Sequence, residues 1–139
     1  MRNIFISILL IGIVVNCSAQ NLEIFELQKR CSIEANNYVR LKKDFILSPS
    51  DKAIENITNH YNKKNGWCLL KIEHTQIGMK DFKSIGIWNV LENKKISSFF
   101  SHTHAQTKQY TVGTCSTLKN KQCSSESEFE KDTESLMTE

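Results

Sequence analysis

The sequence predicts an α+β fold with two N-terminal helices, a four-stranded antiparallel meander, a short C-terminal helix and two disulfides. Three observations support this prediction. Apolar residues recur at helical spacing as far as Tyr61, whereas from Cys68 onward they alternate with polar residues. Four cysteines follow residue 19, and an even number is typical of a disulfide framework. The later segments are joined by short connections, which favour antiparallel neighbours with the helices covering one face.

Residues 1–19 have the pattern of a signal peptide. A short basic start, Met1-Arg2-Asn3, precedes an apolar run from Ile4 to Val15 that is shorter than the roughly 20 residues of a membrane-spanning helix. Cys17-Ser18-Ala19 then predicts cleavage before Gln20. The alternative is a lipid anchor on Cys17, which Asn16 disfavours because such sites follow a small residue. We therefore expect residues 20–139 to form a single exported domain.

Two segments have helical spacing before the change of period. From Leu22 to Lys43 the chain lacks proline and glycine, and its apolar residues form one stripe, namely Ile24, Leu27, Cys31, Ala35 and Tyr38. Ser48-Pro49-Ser50-Asp51 is a typical helix start, and Ile54, Ile57 and Tyr61 follow at helical spacing. The sequence therefore predicts a second helix that ends at Asn65-Gly66.

Four strands and a last helix are predicted downstream. The strands are residues 68–73, 85–91, 96–101 and 110–115, with Asn93-Lys94 as a hairpin turn between the second and third. Ser124 or Ser125 can cap a helix that continues through Phe129 to Met137. Phe99 and Phe100 are adjacent in a strand and must face opposite sides, so one of them can face solvent and anchor a protein partner. The commoner outcome is that other elements cover both faces.

The expected disulfides are Cys31–Cys68 and Cys115–Cys123. Cys31 lies on the apolar stripe of the first helix, and Cys68 shares a strand face with Leu70 and Ile72, so both sulfurs fit one core layer. Cys115 and Cys123 would fasten the last helix to the sheet. The alternative, Cys31–Cys115 with Cys68–Cys123, applies if the first helix crosses the fourth strand instead. No CxxC pair occurs, so the signature of a zinc ribbon or a thioredoxin-type site is missing.

Charge is unevenly distributed along the chain. Residues 20–125 contain sixteen Lys and Arg against nine Asp and Glu, whereas residues 126–139 contain six acidic residues and only Lys131. The simpler interpretation is a solvated body with an acidic helix at its end; the alternative is a basic surface for an acidic partner or an anionic envelope component. The basic residues are not interleaved with aromatic ones, so we expect no nucleic acid partner.

Histidines are the candidates for chemistry. His102-Thr103-His104 could share a metal with His74 or His60, but no Asp or Glu lies close by in sequence to orient the rings. We expect no metal site and no cofactor. His74 with Lys71, and with His102 or His104, could serve acid–base catalysis, although no known catalytic motif is present.

The predicted function is therefore protein binding without catalytic residues. The chain is expected to be secreted or periplasmic, with no membrane span, and to bind another protein as an inhibitor or immunity protein does. The alternative is a small secreted hydrolase or nuclease with a histidine-based site.

Overall fold

A computed structural model describes residues 2–42, 53–76, 81–104, 106–118 and 121–139, with side chains described from residue 20 onward except at positions 53, 54 and 81. Two helices enclose a sheet of five strands. In chain order the elements are α1 (Arg2–Leu41), β1 (Ala53–Asn62), β2 (Trp67–Gln76), β3 (Asp81–Asn89), β4 (Lys94–Thr103), β5 (Tyr110–Ser116) and α2 (Glu126–Thr138). The sheet is an antiparallel meander in the order β1-β2-β3-β4-β5.

The predicted second helix is wrong, because its residues form β1. The strand pairs with β2 from Ala53 to Asn62, and the predicted helix start at Ser48 lies outside the described residues. The three asparagines of β1 disfavour a helix, and its two isoleucines, threonine and tyrosine favour a strand. Asn65-Gly66 is part of the hairpin turn into β2, with Gly66 at a φ of +66°. The sheet accordingly has five strands, and one helix precedes it.

The expectation that the helices cover one face is also wrong, because α1 and α2 pack on opposite faces. On the α1 side, Ala35 packs with Leu70 and Ile72 of β2, and Tyr38 and Val39 extend this cluster. The Cys31–Cys68 disulfide joins the same two elements, with Cα atoms 5.2 Å apart. α1 also covers the outer edge of β1, since the Gln28 side chain accepts a 2.7 Å hydrogen bond from the Tyr61 amide. This contact protects a sheet edge that could otherwise pair with another chain.

On the other face, α2 completes the larger core. Phe129 and Leu136 of α2 pack against β2, β3, β4 and β5 through Leu69, Ile85, Ile87, Phe99 and Cys115. Ser125 caps the helix by accepting a hydrogen bond from the Glu128 amide, as predicted for Ser124 or Ser125. The Cys115–Cys123 disulfide lies just before the cap. At the opposite end, the buried Asn62 side chain donates to the Leu136 carbonyl at 3.1 Å, which ties the first hairpin to the end of α2.

Both disulfides have the pairing expected from the sequence, and the alternative pairing does not occur. Cys31 and Cys68 are both buried, in agreement with the argument that the helix stripe packs on this strand face. Within the described ranges, no helix is both long enough and apolar enough to cross a membrane.

Removing the two disulfides should have unequal effects on stability. The bridges close loops of 37 and 8 residues. Loop entropy then predicts a loss of about 4 kcal/mol for C31A/C68A and about 2.5 kcal/mol for C115A/C123A. Denaturant unfolding of the two double variants measures both losses. A larger loss for C115A/C123A would contradict α1 docking as the main constraint on the fold.

Candidate functional site

The strongest candidate for a binding surface is the part of the sheet that α1 leaves uncovered. In the described part of the chain, α1 packs against β1 and β2, and its cluster extends to Trp88 of β3. The pairing registers place Gly86, Trp88 and Lys95 on this side next to the helix, and eight further residues of β3, β4 and β5 beyond them. The latter, hereafter the open face, are Phe82, Ser84, Ser98, Phe100, His102, Thr111, Thr114 and Ser116.

Aromatic rings run in a row across this side of the sheet. His74 of β2 stacks on Phe82 with ring centroids 5.4 Å apart, Phe82 lies 6.1 Å from Phe100, and Phe100 lies 6.0 Å from His102. These separations are within the range of favourable aromatic pairs. Phe100 is 38% exposed, whereas its neighbour Phe99 is 1% exposed in the α2-side core. The expectation that the two phenylalanines face opposite sides is confirmed, and Phe100 is the one that faces solvent.

A β-bulge and a glycine position Phe100. The register between β4 and β5 shifts after Phe100, which leaves Gly113 as the extra residue. The Phe100 ring lies against Gly113, where an added side-chain carbon would approach Cδ1 of Phe100 to 3.0 Å. Because the glycine has no side chain, the ring can approach the backbone of β5 at this position.

A second bulge and glycine position Trp88 at the border of the open face. The indole lies directly over Gly86, in space that any side chain at position 86 would occupy. The register between β3 and β4 shifts after Ile87, so that Lys95 becomes the partner of Trp88. The Lys95 ammonium lies 5.2 Å from the centroid of the indole, at a cation–π distance. Without the bulge, Lys95 would point to the α2 side.

A groove of about 410 Å³ lies between the end of α1 and this border. Trp88, Gly86 and Lys95 line it on the sheet side, and Tyr38 and Lys42 line it on the helix side. Burial raises the pKa of the Tyr38 phenol.

His74, only 8% exposed, also lines this groove. Neither of its ring nitrogens has a hydrogen-bond partner among the described residues. The closest carboxylate oxygen, Oε1 of Glu55, lies 3.5 Å from Nδ1. Glu55 and His74 are direct partners on β1 and β2, so the strand pairing fixes this arrangement.

The predicted catalytic grouping of His74 with Lys71 is not formed. Successive residues of a strand point to opposite faces, so Lys71 lies on the α2 side while His74 lies on the α1 side. His74 and His102 share a side, but Phe82 and Phe100 lie between their rings.

The candidate metal ligands are also separated. His60 lies on the α2 side of β1, where burial lowers its pKa, and His104 follows the end of β4. In the parts of the chain with described side chains, no three His, Cys, Asp or Glu residues are grouped closely enough to hold a metal.

The acidic residues of α2 form ion pairs with lysines of the body. Glu130 contacts Lys71 at 3.0 Å, Glu126 contacts Lys83, and Asp132 contacts Lys121 at 3.1 Å. The acidic end of the chain therefore partly neutralises the basic body on the α2 side, so it is more than the solvated helical face of the simpler interpretation.

The ion pairs on the α2 side change the pKa values of their members. Burial by itself would lower the pKa of Lys71, but hydrogen bonds to Glu73 and Glu130 outweigh it and raise the pKa. Burial would likewise raise the pKa of Glu73, and Lys71 holds it below the ordinary value. Both charges therefore stabilise the folded state.

No family model, curated protein or solved structure matches this chain significantly.

Stability should fall on acidification, because the Glu73 carboxylate is stabilised by folding. Its folded pKa lies below the ordinary value of 4.5, so its contribution is complete above pH 4.5 and is lost as the pH falls through the folded pKa. Lys71→Met should reduce stability at pH 7 by about 1 kcal/mol and reduce the difference between pH 7 and pH 3. Thermal unfolding at both pH values measures this, with Lys131→Met on exposed α2 surface as the control. Equal pH dependence in the wild type and Lys71→Met would contradict the assignment.

Proposed function

We propose that this protein is an exported, non-catalytic module that binds another protein through the open face, in the manner of an inhibitor or immunity protein. The observation that supports this most is the composition of that face. Two phenylalanines lie among serines, threonines and one histidine, and none of the eight residues is Lys, Arg, Asp or Glu. Antibody paratopes combine aromatic anchors with small hydroxyl side chains in this way. Protein interfaces in general are enriched in aromatic residues and depleted of charge at their centre.

The rigidity of the open face favours affinity. Its residues lie on paired strands, and Phe100 is held by Gly113 on one side and by the Phe82 and His102 rings on the other. A side chain that is already ordered loses little conformational entropy on binding, which would otherwise cost about 0.5–1.5 kcal/mol for each immobilised group. Aromatic residues in such positions are frequent hot spots, where truncation costs about 2 kcal/mol or more.

Charge favours an acidic partner. Lys42 and Lys95 lie beside the open face, whereas the acidic residues of α2 lie on the opposite side of the sheet. A partner with negative charge around an apolar centre would be attracted to this side and repelled by the other. The charge distribution of the sequence suggested, as one of two interpretations, a basic surface for an acidic partner. In this proposal that surface is the α1 side.

Export is part of this proposal. Two disulfides are compatible with an oxidising compartment, and residues 1–19 have the signal-peptide pattern. Intact mass of the protein purified from its native host should correspond to a chain that begins at Gln20. A diacylglyceryl-modified chain beginning at Cys17 would replace the secreted form with a lipid-anchored one, and an uncleaved chain would contradict export.

The binding surface can be tested by photocrosslinking at Phe100. A photoreactive benzoylphenylalanine at position 100 should crosslink one protein in the native host, while the same group at Phe25, 63% exposed on α1, should not. With that protein purified, Phe100→Asp should weaken binding at least about tenfold because it places a charge at the apolar centre. Phe25→Asp should leave the affinity within about twofold.

Two results would overturn the proposal. One is an unchanged affinity for Phe100→Asp, when thermal unfolding shows that the variant is folded. The other is a hydrolytic or nuclease activity that disappears in the triple variant H74A/H102A/H104A.

A further inference from the structure

The groove between α1 and β3 has the features of a small-molecule site, and it overlaps the open face only at Ser84. We propose that it binds a small organic anion with a flat apolar group, such as an aryl carboxylate. The volume of about 410 Å³ lies within the range of roughly 300–1,000 Å³ typical of small-ligand pockets. This proposal does not depend on whether a protein binds the open face.

Trp88 provides the surface for the flat group. Its indole rests on Gly86 and lines the groove. Ile72 adds an apolar wall. A flat ring packed beside this indole would bury apolar area on both partners.

Two lysines provide the charge that selects an anion. Lys42 comes from the end of α1 and Lys95 from β4, and both line the groove. Neither ammonium group forms an ion pair with a carboxylate in the part of the chain whose side chains are described. This distinguishes them from Lys71, Lys83 and Lys121, which are paired on the α2 side. A carboxylate between two unpaired lysines would form charge-assisted hydrogen bonds.

The burial of His74 without a hydrogen-bond partner among the described residues points most directly to a ligand. Buried polar atoms are almost always hydrogen-bonded, yet both ring nitrogens of this buried residue lack a partner among the described residues. Nδ1 lies 3.5 Å from Oε1 of Glu55, and Nε2 is buried. The Ser84 hydroxyl lines the same groove and can donate or accept beside it. A ligand oxygen that reaches Nε2 would meet a hydrogen-bonding need that the described residues leave unmet.

The experiment uses phenylacetate as the anionic probe and phenylacetamide as its neutral match. In a Trp67→Phe background, Trp88 is the sole tryptophan, so its fluorescence reports occupancy of the groove directly. Phenylacetate should change this fluorescence with a Kd on the order of 1 mM or tighter, and phenylacetamide should bind at least about tenfold more weakly. Isothermal titration calorimetry on the wild-type protein provides an independent affinity.

Matched variants locate the site. Lys95→Gln should weaken phenylacetate binding about tenfold, whereas Lys94→Gln, one residue away and outside the groove, should leave it unchanged. Gly86→Ala should displace the indole of Trp88 and weaken both probes equally. Equal affinity for the two probes, equal effects of the two lysine variants or an absence of binding would each overturn the proposal. Crosslinking at Phe100 tests the open face, whereas probe binding tests the groove. A negative result in one experiment therefore does not overturn the other proposal.

Discussion

The attachment of α1 to β2 is the constraint on which the rest of the structure depends. The Cys31–Cys68 disulfide and the contacts of Ala35 with Leu70 and Ile72 centre the helix on the first two strands. A helix with its side chains is about 10 Å wide, and strands are spaced about 4.8 Å apart, so one helix covers two to three strands. A helix centred near one edge of a five-stranded sheet must therefore leave the far strands uncovered. The open face and the groove at its border both result from this position.

The two faces of the sheet differ in the residues that they carry and in how the lysines on each face are paired. On the α2 side, apolar residues form the core, and lysines at its rim pair with the acids of α2. Those pairs are half-exposed, and each contributes little to the free energy of folding. Together they orient the helix and compensate most of its negative charge. On the α1 side, Lys42 and Lys95 form no ion pair among the described side chains, and small hydroxyl residues occupy the strands. Two uncompensated positive charges therefore lie beside the exposed aromatic rings.

Much of this fold could be predicted from the sequence. The errors arose where long-range strand pairing, and not the local pattern, decided the structure. The helix stripe around Cys31, the face shared by Cys68, Leu70 and Ile72, and the cap before α2 were local patterns with one interpretation. The segment around Ile54, Ile57 and Tyr61 fitted a helix by spacing, but pairing with β2 decided its conformation, and the Asn65-Gly66 turn signal pointed to that hairpin. The groove was not predictable, because it depends on which face each helix occupies and on two bulges whose positions follow from long-range pairing.

The bulges connect the packing of the sheet to its surface chemistry. In a regular ladder, Lys95 would share a side with Phe99 and face the α2 core, where an ammonium group would be costly to bury. One extra residue at Ile96 reverses its direction, so that Ile96 packs near the core and Lys95 reaches the Trp88 ring. The extra residue at Gly113 likewise lets the Phe100 ring lie on the backbone of β5, and it returns Val112 to the core. Each bulge thus keeps the α2-side core apolar while it sets an aromatic side chain on the uncovered side. The same two irregularities that complete the core also build the surface to which we assign binding.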